Sequence, residues 1–280
     1  PDYYLTISDF AEQEIKQFYE RESTIIYPPV AVENFQSVAP YREIIQSNCQ
    51  ILSQYNSKKK QTKIKLENNI KHNKSQIISE KSARELPEIL QKAPEILQKL
   101  PESFLTEGFY LNFSRQVNWK RLDLILAACK KLKLNLILIG NGAAHESLVN
   151  QAAGSKYVVF FDVLPQSDLK EFVKYAKAFV FPSNEPFGIA PVEALAAGCP
   201  VIALKQGGAM DYIQDGKNGL FFEEQSVDSL AQTLKNFEAK SANSFLSPQE
   251  ISATATKFST ENFYRKIRQF VEKVLKNQKT

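Results

Sequence analysis

Hydrophobic residues after position 108 fall into short runs that alternate with longer amphipathic segments. Apolar runs of four to six residues are typical of strands buried on both faces of a sheet, and the segments between them have the helical pattern. This alternation predicts βαβ units, and therefore an α/β fold with a doubly wound, mostly parallel sheet. A helix over Thr260–Leu275 is predicted to close the chain. The apolar runs are Phe109–Phe113, Leu134–Ile139, Tyr157–Phe161, Ala178–Phe181, Val201–Leu204 and Gly219–Phe222.

The chain before residue 108 has a different composition, because all ten glycines lie at position 108 or later. We therefore place a domain boundary near Thr106–Gly108, with the predicted sheet domain over 108–280. Residues 1–35 form a separate short piece. It carries a predicted helix around Asp9–Glu20 and a predicted strand over Thr24–Tyr27.

Residues 36–107 are predicted to form an insertion or linker, which has two parts. The first part is basic: between Asn56 and Lys81, eight lysines and two glutamates give +6, where the whole chain has +4. It has no Phe, Trp or Tyr to stack on bases, so a solvated or disordered stretch is favoured over a nucleic-acid site, with attraction to anionic lipid as the weaker alternative. The second part repeats a heptad from Leu86, and its regularly spaced prolines predict a broken helix.

Two acids stand at a predicted loop-to-helix junction in FPSNEPFGIAPVEALAAG, residues 181–198. The junction lies beyond the carboxyl end of a strand, where open α/β sheets bind ligands. Glu185 is placed in the loop and Glu193 in the first helical turn, where carboxylates can accept hydrogen bonds from sugar and ribose hydroxyls. Gly188 lets the backbone approach a ligand closely. Acids are also common in loops and in first helical turns, so either acid alone would indicate little.

Cations and glycines follow two other predicted strands. Arg115 and Lys120 lie in SRQVNWKRLD after the first strand, where they could hold a diphosphate and stabilise its charge on departure; solvated surface cations are the alternative. Gly207 and Gly208 precede a predicted short helix whose free N–H groups would bind an anion, although glycine pairs also mark ordinary turns. Because the sequence has no DxD pair, we expect no metal ion at the diphosphate.

A glycine pattern after the second predicted strand looks like part of a dinucleotide fingerprint. Gly140 and Gly142 follow that strand, and Asp162 ends the next one about twenty residues later. The third glycine is missing, His145 stands in its place, and a fingerprint of this type belongs at the first strand of its fold. We therefore place a nicotinamide-dependent oxidoreductase below the other interpretations, with His145 at the surface or at a helix start.

The cysteine spacing and the hydropathy of the sequence argue against several further classes of protein. Cys49, Cys129 and Cys199 are far apart, odd in number and without histidines at metal-ligand spacing, so we expect neither a disulfide framework nor a zinc site, and a reducing cytoplasm as the location. No apolar stretch approaches the ~18 residues of a membrane span, and the start of the chain lacks the features of a secretory signal. The chain has no initiator Met, which indicates a fragment.

The segments EPFGIAPVEALAAGCPVIALKQGGAMDYI and FSRQVNWKRLDLILAACKKLKLNLILIGNG resemble the retaining glycosyltransferases of family 4, also called glycosyl transferases group 1. These enzymes have the two-domain GT-B fold. The resemblance covers residues 108–280, and residues 1–35 are more faintly similar to the end of the family's amino-terminal domain. Within the family, the sequence resembles the bacterial mannosyltransferases of polysaccharide assembly.

The resemblance assigns roles by position. It implies that Glu185 contacts the donor sugar, Glu193 the ribose, and Arg115 and Lys120 the diphosphate. The residues implied to line the sugar–phosphate region are Gly207, Gly208 and Ala209. This chain departs from the family's usual pattern at three positions, where glycine, glycine and glutamate are common: Ser114, Asp162 and Asp211.

The resemblance also implies a reaction. A hexose, with mannose as one candidate, would pass from a GDP- or UDP-linked sugar to a saccharide or lipid-linked acceptor, with retention at the anomeric carbon and without a metal ion or cofactor. The enzyme is expected in the cytoplasm, with peripheral contact at the inner face of the membrane as an addition. Acceptors in this family bind largely to the amino-terminal domain, most of which would precede Pro1. The alternative is therefore a truncated, noncatalytic subunit that binds a sugar nucleotide or a separate acceptor domain.

Overall fold

The computed structural model describes residues 3–36, 94–240 and 245–277. The basic part of the predicted insertion, the first repeat of its heptad, Cys49 and His72 lie outside the described residues. From residue 94 onward, the second and third repeats each contain one short helix, α2 (Glu95–Gln98) and α3 (Glu102–Thr106). Each follows a proline at its amino-terminal cap, so in this part the helix is broken as predicted.

The six predicted strands form one parallel sheet, which confirms the doubly wound α/β fold. Each observed strand lies within its predicted run and has four residues. The order across the sheet is β5-β4-β3-β6-β7-β8, with every neighbouring pair parallel. The strands are β3 (Tyr110–Phe113), β4 (Leu136–Ile139), β5 (Val158–Phe161), β6 (Ala178–Phe181), β7 (Val201–Leu204) and β8 (Gly219–Phe222).

Helices cover both faces of this sheet, and the strand side chains alternate between them. Leu111 and Phe179 belong to one buried cluster, whereas Tyr110 and Val180 belong to the other. The first cluster is completed by α2, α3, α6 (Gln166–Tyr175), α7 (Ile189–Ala196) and α9 (Pro248–Ala255). The second is completed by α4 (Leu122–Leu132), α5 (His145–Ala152) and α8 (Val227–Ala239). Burial on both faces explains why the strands are apolar apart from Asn112 in β3, whose side-chain amide donates to the Val180 carbonyl at 2.8 Å.

The amino-terminal piece is a small parallel unit against the sheet domain. It contains β1 (Leu5–Thr6), α1 (Asp9–Tyr19) and β2 (Thr24–Ile25), and the predicted strand is shorter than the sequence indicated. Val30 pairs with Ser259 and is buried in the same cluster as the strands. Residues on both sides of the boundary near 107 therefore contribute to one core, and the division into domains stays a prediction.

The last helix, α10 (Thr260–Asn277), begins at the predicted residue and has no buried side chain. Its apolar face is partly exposed, and Phe270 contacts Tyr3 edge to face at 6.0 Å between ring centroids. Among the described residues, the structure contains no helix with the length and hydropathy needed to cross a bilayer.

Candidate functional site

The strand order places two predicted loops next to each other. After β3 the chain continues outward to β4 and β5, and it then returns to the other side of β3 as β6. The carboxyl ends of β3 and β6 therefore flank the topological switch point, where doubly wound sheets bind ligands. Arg115 and Lys120 follow β3, and Glu185 follows β6.

Lys120 and Glu185 form an ion pair across this crevice. Lys120 Nζ donates to Glu185 Oε1 at 2.6 Å, and the two side chains are only 17% and 12% exposed. Ser183 Oγ donates to the same carboxylate oxygen at 2.5 Å. The ammonium also lies 4.5 Å from the centroid of the Trp119 ring. A cation and a carboxylate are therefore held together, largely shielded from solvent, where each interacts more strongly than at the surface.

The glycine pair supports the loop that carries Glu185. The backbone N–H of Gly208 donates to the carbonyl of Glu185 at 2.8 Å. A Cβ on Gly207 would fall 2.4 Å from that carbonyl oxygen, and one on Gly208 would fall 2.4 Å from the carbonyl oxygen of Pro186. The glycines do not precede the short helix as predicted, because the 3₁₀ helix Gly207–Asp211 begins at the pair itself. Ala209, the third predicted residue, is fully buried behind it.

Tyr212, which sequence reasoning missed, holds the same loop from behind. Its hydroxyl donates to the carbonyl of Phe187 at 2.8 Å, and burial raises its pKa well above the ordinary value, so it stays a neutral donor. Gly188 has φ +88°, and a Cβ there would lie 2.7 Å from the Phe181 ring and 3.0 Å from the Tyr212 hydroxyl. Close packing therefore requires glycine at this position.

Glu193 lies one turn further along its helix than predicted. Helix α7 begins at Ile189, directly after Gly188, so Glu193 is in the second turn rather than the first. Its carboxyl is partly buried, and desolvation raises its pKa. Within the described residues the carboxylate has no hydrogen-bonding partner. Its predicted contact with the ribose stays a prediction.

Arg115 is not brought into contact with the other predicted site residues. It lies in the loop that carries Lys120, but its side chain is exposed to solvent. Its backbone carbonyl accepts from the N–H of Val117 at 3.1 Å. Its predicted contact with a diphosphate stays a prediction.

Gly140 and Gly142, the glycines of the pattern that looks like a dinucleotide fingerprint, are required by the packing of two loops. A Cβ on Gly140 would lie 2.3 Å from the Ser114 carbonyl oxygen, and one on Gly142 would lie 2.4 Å from that of Gln116. The Gln116 side chain donates to the Gly140 carbonyl at 2.7 Å, and its Oε1 lies 2.7 Å from Nδ1 of His145, the first residue of α5. The glycines thus let the loops after β3 and β4 pack together.

The three departures from the family pattern have local partners. Ser114 Oγ donates to Asn112 Oδ1 at 2.7 Å, and Asp162 Oδ1 accepts from the N–H of Val163 at 2.8 Å. Asp211 accepts from the N–H of Asp9 at 3.0 Å. The Asp211 carboxylate therefore binds the start of α1 to the turn formed by Gly207–Asp211, here called the glycine turn.

A cavity of about 440 Å³ lies between α1 and the glycine turn, beside the Glu185 loop. Its lining includes Phe10, Gln13, Asn184, Gln206 and Met210. In the described ranges, no group of three or more His, Cys, Asp or Glu side chains is placed to hold a metal ion.

A family model described as "Glycosyl transferases group 1" matches residues 94–258. The match includes the six strands, the Lys120–Glu185 pair and the glycine turn. It covers more than half of the chain.

Named relatives and a solved structure agree with this match. A D-inositol 3-phosphate glycosyltransferase of Corynebacterium urealyticum is 32% identical over 42% of this chain and 28% of its own length. The alpha-1,3/1,6-mannosyltransferase ALG2 of Homo sapiens is 27% identical over 59% of this chain and 45% of its own. The structure of Anabaena HepE in complex with UDP and glucose superposes with a TM-score of 0.66 at 16% identity, covering 97% of this chain and 63% of that one. The chain thus spans less than half the length of these two relatives.

Proposed function

Because the chain belongs to the glycosyl transferases group 1 family, we propose that it transfers a glycosyl group from a nucleoside diphosphate sugar to a saccharide or lipid-linked acceptor. The observation that carries the proposal is the Lys120–Glu185 pair at the topological switch point. A donor of this kind presents hydroxyl groups and a diphosphate side by side. The pair offers a carboxylate for the first and a cation for the second.

Each predicted site residue has a role in this proposal. Glu185 accepts hydrogen bonds from donor sugar hydroxyls, and Lys120, assisted by the exposed Arg115, binds the diphosphate. Glu193 accepts from the ribose hydroxyls, which gives its desolvated carboxylate a partner. Gly207, Gly208 and Ala209 line the sugar–phosphate region in this proposal. The two glycines and Gly188 also let the loop that carries Glu185 pack closely.

The charge that develops on the leaving diphosphate is stabilised by Lys120 and Arg115 rather than by a metal ion. Preorganised cations in a partly dry crevice stabilise such charge strongly. In the proposed reaction the departing phosphate oxygen accepts the acceptor's proton on the same face, so the anomeric configuration is retained. The proposed donor is a UDP- or GDP-linked hexose, with mannose as the leading sugar because mannosyltransferases are among the similar proteins.

The acceptor is proposed to bind between this chain and an acceptor domain that packs on the amino-terminal piece. Leu5 of β1 and the flanking residues Tyr3 and Ile7 are exposed. Parallel strands are stable when both faces are covered, and a two-stranded sheet is marginal alone. The alternative of a noncatalytic subunit is not favoured, because the crevice keeps its acids and its cation. Contact with the inner face of a membrane would accompany a lipid-linked acceptor.

A product assay with UDP-glucose and GDP-mannose tests the proposal. Glu185→Gln keeps the shape of the loop but removes the charge, and we expect turnover to fall about a hundredfold. Glu238→Gln is the matched control. Glu238 also pairs with a lysine, Lys177, and accepts a hydrogen bond from the Tyr110 hydroxyl, but this pair lies at the amino-terminal ends of β3 and β6. Equal turnover by the two variants would refute the proposed role of Glu185.

A further inference from the structure

Arg121, the residue after Lys120, has a left-handed backbone conformation. Its φ is +53°, in a region that residues with a Cβ disfavour. The conformation turns the chain from the short 3₁₀ helix Asn118–Lys120 into α4. A strained conformation of this kind persists where surrounding contacts hold it, and such residues cluster at functional sites. The contacts of the Arg121 side chain therefore bear on its role.

All three nitrogens of the Arg121 guanidinium donate hydrogen bonds. Nε and Nη2 donate to the two carboxylate oxygens of Asp123, in the first turn of α4, at 3.2 and 3.1 Å. Nη1 donates to Oε1 of Gln225, in the loop after β8, at 3.1 Å. A fork contact with a carboxylate fixes the plane of a guanidinium as well as its position. The side chain thus joins the loop of Lys120 to the loop after β8 in one defined orientation.

Gln225 extends this connection to the loop of Glu185. Its Nε2 donates to the carbonyl of Pro182 at 2.9 Å. Pro182 directly follows β6 and precedes Ser183, whose hydroxyl donates to Glu185. Both ends of the Gln225 amide are therefore used, the oxygen by Arg121 and the nitrogen by Pro182. The contacts Arg121–Gln225–Pro182, here called the loop bridge, connect the loops after β3, β8 and β6.

The loop bridge is independent of the ion pair between Lys120 and Glu185. In the proposed function the diphosphate competes with Glu185 for the Lys120 ammonium, so the ion pair weakens when a donor binds. The loop bridge uses no group that is assigned to the donor, and it can stay closed while Lys120 changes its partner. A loop that is already ordered loses less entropy when a ligand binds, so the affinity is higher.

We propose that Arg121 and Gln225 are positioning residues that hold Lys120 opposite Glu185 through the loop bridge. Neither residue contacts the donor in this proposal. The inference rests on the proposed function, since it concerns how the cation for the diphosphate is held in place. The left-handed conformation of Arg121 has a reason in this arrangement, because it lets successive residues serve the crevice and the loop bridge.

Arg121→Gly separates this role from a general contribution to stability. Glycine adopts a positive φ without strain, so the variant keeps the turn and loses the contacts to Asp123 and Gln225. The lost ion pair is partly exposed, at 33% and 42% of the two side chains, and such pairs contribute little to stability. Lys133→Gly is the matched control, because Lys133 has φ +58° and follows the other end of α4. Gln225→Ala opens the loop bridge while keeping every charge of the chain.

The single tryptophan of the chain, Trp119, reports the state of this loop without any ligand. It precedes Lys120, and the centroid of its ring lies 4.5 Å from the Lys120 ammonium. The fluorescence anisotropy of Trp119 in the chain without nucleotide should be lower in Arg121→Gly and in Gln225→Ala than in Lys133→Gly. In calorimetry with UDP and GDP, both bridge variants should bind the diphosphate about five- to tenfold more weakly. The midpoint of urea unfolding of Arg121→Gly should be unchanged or higher.

The possible results separate the inference from the proposed function. Bridge variants that match Lys133→Gly in anisotropy and in affinity would overturn the inference and leave the proposed function intact. Weaker binding by Arg121→Gly alone, with normal anisotropy, would assign the effect to the charge of Arg121 and would also overturn it. If the anisotropy falls in both bridge variants but the unaltered chain binds neither UDP nor GDP, the positioning of Lys120 is supported and the proposed function fails.

Discussion

Lys120 and Glu185 are 65 residues apart in the sequence, and their side chains meet at 2.6 Å. The contact depends on strand order, because β3 and β6 are neighbours only after the chain has completed two other crossover units. The pair is mostly buried, and Ser183 and Trp119 contact its two members. The fold therefore brings a phosphate-binding cation and a hydroxyl-binding acid to one crevice.

Glu193→Gln should stabilise the protein at neutral pH and weaken nucleotide binding. Desolvation raises the pKa of this carboxyl above its ordinary value of 4.5, so the folded chain holds the proton more tightly than the unfolded chain. The stability contributed by the protonated group is complete below that value and is lost as pH rises through the raised pKa. Glutamine removes this loss.

Urea unfolding between pH 4 and pH 8 checks this prediction. The stability difference between the variant and the unaltered chain should grow with pH across the raised pKa, and calorimetry with UDP or GDP should show weaker binding. A difference that is constant with pH would contradict the assigned titration.

Tyr212→Phe should loosen the loop that carries Glu185. The change leaves the Phe187 carbonyl without its donor in a buried place, which costs about 1–2 kcal/mol of unfolding free energy. Turnover should fall with it, because Glu185 is two residues away from that carbonyl. Tyr264→Phe is the control, at an exposed position of α10. Equal stability of the two variants would show that the hydroxyl does not support the loop.

Gly207→Ala should destabilise the protein by more than the backbone strain of a residue with a positive φ angle, because the added Cβ also clashes with a neighbouring loop. Gly207 has φ +64°, and its new Cβ would fall 2.4 Å from the Glu185 carbonyl oxygen. Gly154→Ala is a matched control, since Gly154 has φ +74° with nothing within 4 Å of the added atom. The control should lose about 1–2 kcal/mol from backbone strain, whereas the site variant should lose more and also bind diphosphate more weakly. Calorimetry and urea unfolding measure both effects.

The six strands could be predicted from the sequence because their apolar runs are short and are separated by clear helical patterns. The loop position of Glu185 followed from the same alternation. The turn assigned to Glu193 was wrong, since Gly188 caps the helix, which begins at Ile189 and therefore has Glu193 in its second turn. A local pattern leaves such boundaries open by a few residues.

The remaining site features depend on contacts that a sequence pattern does not encode. The bond from Tyr212 to Phe187 and the bond from Asp9 to Asp211 join residues that only the folded chain brings together. Gly140 and Gly142 show the converse, since their pattern looks like a nucleotide-binding motif but arises from two loop backbones in contact. The reason for such a glycine pattern can be identified only when the structure of the neighbouring loop is known.

The most direct test of the account is the affinity of Lys120→Met for the nucleoside diphosphate that the unaltered chain binds, measured by calorimetry at low salt. The control is Lys177→Met, because Lys177 is as buried as Lys120 and forms an ion pair at the amino-terminal end of β6. If the crevice at β3 and β6 holds the diphosphate, Lys120→Met should bind about ten- to a hundredfold more weakly while Lys177→Met binds normally. Unchanged affinity of a folded Lys120→Met variant would contradict the account.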